Sequence, residues 1–94
     1  MYANWVTFNL GPGKREQATE MVKKFRPALE ALKGFEGVTF LGNEETGEYG
    51  SLITWQTKED ADAAFQVVFP QLQEAVKGRV KEPPRRVLFE VIKP

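Results

Sequence analysis

The chain has 94 residues with 13 basic and 13 acidic side chains, a formal net charge of zero, and neither Cys nor His. Charge balance removes the positive field that draws a protein to nucleic acid or an anionic membrane, the lack of Cys removes disulfides and thiolate chemistry, and the lack of His removes the usual general base and the commonest metal and haem ligand. A chain this short buries only roughly 60–70% of its unfolded surface, which predicts one domain over residues 1–94 with a thin core, for which a partner subunit is expected.

From Tyr2 to Leu10 the residues alternate, with Asn4, Val6, Phe8 and Leu10 on one face and Ala3, Trp5, Thr7 and Asn9 on the other, so the chain enters on a strand. That start has no basic leader segment, and no apolar run approaches the ~18 residues of a membrane span. A soluble, cytoplasmic protein with no membrane partner is expected. Gly11-Pro12-Gly13 breaks the strand, and the apolar stripe Ala18, Met21, Phe25, Leu29, Leu32 predicts a helix from Lys14 to about Lys33, kinked at Pro27 and closed by Gly34.

A second strand follows from Gly37 to Gly42. The loop Asn43–Glu48, with Gly47 where a positive φ is needed, predicts an antiparallel hairpin to a third strand, Tyr49 to Gln56. Thr57 followed by Glu59 and Asp60 is a helix start signal, so a second helix begins at Lys58. Pro70 predicts a break in that helix near Phe69, and Gly78 closes it. Pro83-Pro84 enforces an extended approach to a last strand, Arg85 to Lys93.

Strand, helix, strand, strand, helix, strand is the order of a ferredoxin-like split βαβ unit, an α+β fold with a four-stranded antiparallel sheet. Right-handed crossovers place both helices on one face. The other face then carries residues such as Trp5, Leu41, Leu52, Leu88 and Ile92, too apolar for water, and predicts a homodimer through the open sheet face.

The segments VTFNLGPGKREQ, ALKGFEGVTFL and ETGEYGSLITWQTKEDADAAF resemble the dimeric α/β barrel superfamily, in particular its antibiotic biosynthesis monooxygenase-like domains. The resemblance covers nearly the whole chain. It implies a homodimer with facing sheets and, as activities, cofactor-free oxygenation of phenols and quinols or haem degradation. Haem-degrading members use a strand-one Asn, matched by Asn4, a helix-two Trp, where Ala64 and Phe65 stand, and a helix-two His, where the chain reads PQLQEA. The resemblance therefore favours a cofactor-independent monooxygenase-like protein acting on an aromatic phenol or quinol, the alternative being a non-catalytic dimeric binding or structural module of the same fold.

Asn4, Tyr49 and Arg86 are the catalytic candidates that this resemblance suggests, with Arg26 a looser one. Phe8, Phe25, Trp55, Phe65 and Phe69 are the candidates to bind substrate. Each also has a plainer reading, as a backbone-bonded strand Asn, a surface charge or a core aromatic. Asn4 would orient oxygen or a ring carbonyl, Phe65 and Phe69 would stack on the ring, and Arg86 or Tyr49 would stabilise negative charge. Glu44, Glu45 and Glu48 read as a solvated turn with no metal, Gly11–Lys14 lacks the spacing of a phosphate loop, and the basic residues near Arg79 read as solvated surface. No cofactor is expected.

Overall fold

The computed structural model describes residues 1–93. Its elements are β1 (Tyr2–Asn9), α1 (Arg15–Glu30), β2 (Phe35–Asn43), β3 (Glu48–Trp55), α2 (Lys58–Val76) and β4 (Arg85–Glu90). The strands form one antiparallel sheet in the order β2-β3-β1-β4, the ferredoxin-like arrangement that the element order predicts. Among the described residues no helix is long and apolar enough to cross a membrane.

The local signals act as expected at two places. Gly47 takes φ +83° in the hairpin loop, and its carbonyl accepts the Leu10 N–H at 2.9 Å, tying the loop to the end of β1. Thr57 caps α2, its hydroxyl accepting the Asp60 N–H at 3.0 Å.

One proline behaves as expected and the other does not. α1 runs through Pro27 but ends at Glu30, three residues short of Lys33, because Leu32 N–H turns back to the Leu29 carbonyl and tightens the chain toward Gly34. α2 continues unbroken from Lys58 to Val76, so the break expected near Phe69 does not occur. Pro70 and Gln66 both lie on the exposed side of α2. The carbonyl that loses its donor therefore faces water, while Val68, Phe69, Leu72 and Val76 hold the helix to the core on both sides of the proline.

Val6, Leu10, Ala18, Phe25, Leu72 and Val76 form one buried cluster, and Leu29, Ile53, Trp55, Ala61 and Ala64 a second. Half-buried Val68 packs against both.

On the open face, register sets Trp5 between Leu52 and Val87, and Ala3 opposite Phe89. Leu41, Leu52, Val87 and Phe89 are between 38% and 51% exposed there. Leu88, expected on this face, pairs with Asn4 and packs into the second cluster beneath the helices. The last strand ends at Glu90 instead of Lys93, which leaves Ile92 86% exposed beyond the sheet.

Candidate functional site

A cleft of about 80 Å³ opens between the sheet and the helices, along the seam between the two core clusters. Asn4 and Phe8 reach it from β1, Phe25 from α1, Tyr49 and Trp55 from β3, and Phe65 and Phe69 from α2. Alternation puts Asn4 and Phe8 on the helix side of β1, and Tyr49 and Trp55 on the helix side of β3. Aromatic pairs shape the walls: Phe65 and Phe69 lie 4.5 Å apart at a 39° tilt, Phe8 stacks on Tyr49 at 6.4 Å, and Phe35 meets Trp55 edge-on at 5.8 Å. Gly42, opposite Tyr49, leaves room for the tyrosine ring, since a Cβ there would overlap it.

Asn4 is the one buried polar residue among the described residues, at 2% exposure. Its amide is engaged at both ends. Nδ2 donates to the Ala61 carbonyl at 3.0 Å, and Oδ1 accepts from Arg86 Nε at 2.8 Å. Arg86 in turn donates through Nη2 to Asp62 Oδ1 at 2.7 Å and lies 4.6 Å over the Phe65 ring. One guanidinium thus joins β1, β4 and α2, and it fixes which way the Asn4 amide points. One Asn4 N–H and one carbonyl lone pair stay free of these bonds.

Two of the residues that line the cleft carry a buried polar atom with no hydrogen-bond partner in the protein: Tyr49 Oη and Trp55 Nε1. Groups in this position are rare in folded proteins.

The geometry brings together seven of the eight candidate residues. Arg86 is not on the cleft wall and reaches it only through Asn4 and Phe65. Arg26 lies on α1 in an exposed pair with Glu30 at 3.6 Å, away from the cleft. Asp62 and Ala61 were missed by sequence reasoning. The one local hint to Asp62 is its place one helical turn before Phe65, on the same flank of α2.

No family model and no curated protein matches the chain. Solved structures do. A Nitrosomonas europaea protein provisionally assigned as an antibiotic biosynthesis monooxygenase superposes with a TM-score of 0.79 at 17% identity, covering 99% of this chain and 91% of its own. The chain has the antibiotic biosynthesis monooxygenase-like fold. The monooxygenase ActVA-Orf6 of Streptomyces coelicolor, solved with nanaomycin D, shares this fold with a TM-score of 0.74 at 19% identity, over 99% of this chain and 91% of its own. So does SnoaB, a cofactor-independent oxygenase of Streptomyces nogalater, at 0.73 and 14%, over 99% and 95%. In this antibiotic biosynthesis monooxygenase-like fold the cleft lies between the four-stranded sheet and its two helices, and the opposite sheet face stays uncovered within one chain.

Proposed function

We propose that the chain is a cofactor-independent monooxygenase acting on an aromatic phenol or quinol, working as a homodimer through the open sheet face. The observation that carries this reading is the cleft itself: aromatic walls with a single buried, rigidly held amide, the pattern expected of a site that orients a flat apolar molecule by few polar contacts. The oxygenases named above, of the same fold, support it. The exposed apolar residues Leu41, Leu52, Val87 and Phe89 support a second copy over the sheet.

The chemistry asks little of the protein. A phenolate can pass an electron to dioxygen, the two radicals can join at carbon, and loss of water leaves a quinone or ketone. One dioxygen is then consumed per substrate, one of its atoms ending in the product and the other in water, with the substrate as the only reductant. The chain must bind, desolvate and orient. Phe65 and Phe69 stack on the ring, Asn4 orients oxygen or a ring carbonyl with its free N–H, Tyr49 favours the anion, and Arg86 acts through the Asn4 amide that it holds.

At about 80 Å³ the cleft is below the ~300–1,000 Å³ of drug-sized ligand pockets. An aromatic substrate therefore enters as the helices ease off the sheet.

The test follows dissolved oxygen and intrinsic Trp fluorescence while phenols, quinols and haemin are added. Saturable quenching with stoichiometric oxygen uptake supports the oxygenase, and Asn4→Ala should then cut turnover at least tenfold while circular dichroism stays native. Binding without oxygen uptake would favour the non-catalytic module. One observation supports that second reading: no Asp, Glu, Lys or Arg is among the residues on the cleft wall, so a general base must come from elsewhere.

A further inference from the structure

We infer that the chain carries a second ligand site, separate from the aromatic cleft: a basic groove at the end of β1 that binds the phosphate group of a small soluble phosphate monoester. The groove measures about 650 Å³, against about 80 Å³ for the cleft, and shares only Phe8 with it. That size lies within the ~300–1,000 Å³ of small-molecule sites. Arg79, Lys81 and Arg85 line it from the α2–β4 connection and the start of β4, and Leu10 and Pro12 from the turn after β1. Read from the sequence alone these cations are solvated surface. The fold gives them a common groove.

The connection alternates as it runs. Arg79, Lys81, Pro83 and Arg85 meet the groove, while Val80 packs on the first core cluster, Pro84 is buried and Arg86 reaches Asn4. The segment is held at both ends: Gly78 takes φ +77°, the Arg79 N–H donates to the Val76 carbonyl at 2.8 Å, and Arg85 pairs with Thr7 in the sheet. Among the described residues none of the three cations forms an ion pair. Glu48 and Glu82 also line the groove, and three cations against two carboxylates leave it net positive.

β1 supplies a further donor. In an antiparallel sheet successive residues of a central strand bond to opposite neighbours. The Leu10 N–H donates to Gly47 and the Met1 carbonyl accepts from Val91, so the odd residues of β1 turn toward β4. Continued to Asn9, that ladder meets Pro83, which has no N–H and precedes the first residue of β4. The Asn9 N–H is therefore turned to the groove side, where no carbonyl of residues 77–84 accepts it. Two guanidinium forks and one ammonium suit a phosphate monoester better than a carboxylate, because the monoester offers three terminal oxygens and about 1.5 to 2 negative charges near neutral pH. The apolar walls at Leu10 and Pro12 take its organic part.

Two-dimensional NMR of the backbone amides at low ionic strength tests this, with phenyl phosphate, inorganic phosphate and benzoate added in turn to the full chain. Shifts should centre on Asn9, Thr46 and the run from Arg79 to Arg85, and affinity should fall in the order phenyl phosphate, inorganic phosphate, benzoate. Arg79→Gln and Lys81→Gln should each weaken phenyl phosphate about two- to fivefold, the range for one exposed charge contact, and Glu82→Gln should tighten it by a similar factor. All three positions are exposed, so each variant should keep native circular dichroism. No saturable shift with phenyl phosphate, shifts centred on the aromatic cleft, benzoate bound as tightly, or unchanged affinity in both Arg79→Gln and Lys81→Gln overturns the inference. A second arm uses vesicles containing phosphatidic acid, whose headgroup is the same monoester. Sedimentation with those vesicles without any response to phenyl phosphate would put a lipid surface in place of the soluble ligand and overturn it too. The outcome does not depend on the oxygenase reading, since no step of this test involves oxygen or the cleft.

Discussion

Replacing Arg86 by Met tests whether one side chain holds the buried amide of Asn4. The substitution keeps an apolar stem of similar length over Phe65 and removes three interactions at once. Loss of the Nε bond leaves Asn4 Oδ1 unsatisfied in a residue only 2% exposed, which costs about 1–3 kcal/mol. Loss of the pair with Asp62 costs about 0.5–1 kcal/mol, discounted because the Asp62 side chain is 43% exposed. The contact with Phe65 at 4.6 Å adds about 0.5–1 kcal/mol. These combine to about 2–5 kcal/mol, or roughly 8–40 °C in melting temperature for a chain of this size. Urea unfolding at fixed protein concentration measures it, with Asp62→Asn as control. The control should lose less than about 1 kcal/mol, because it leaves the Arg86–Asn4 bond in place. If Arg86→Met costs no more than Asp62→Asn, the guanidinium does not hold Asn4 and the reasoning fails.

Two further outcomes follow from the fold. Pro70→Ala restores an N–H toward the Gln66 carbonyl in an unbroken, exposed stretch of α2 and should stabilise the chain by about 1–2 kcal/mol; a loss of stability in urea would show that the helix depends on the proline. Phe89→Asp places a charge on the open face, where Phe89 is 50% exposed, and should convert a dimer to monomers in light scattering at micromolar concentration. An unaltered dimer mass would move the interface to another surface.

Much of the site was legible because it follows period-two alternation. Asn4 and Phe8 share a face with Val6, and the structure keeps that face beneath the helices. The residues of α2 that meet them, Phe65 and Phe69, follow from helical spacing once Thr57 marks the start. Pro70 was misread because local propensity overestimates a break where the orphaned carbonyl faces water. Asp62 was invisible because nothing beside it in sequence distinguishes it from any exposed helical carboxylate.

The sequence by itself determined element order, helix and hairpin start signals, and which side chains share a face, since each depends on residues within a few positions of one another. Tertiary structure alone decided the rest. The face that Leu88 and Val87 present depends on the β1–β4 register. The bond from Arg86 to Asn4 joins residues 82 positions apart. The unpartnered state of Tyr49 Oη and Trp55 Nε1 is a property of everything packed around them. Local periodicity says where a side chain points, but only the assembled core determines whether a polar atom finds a partner there.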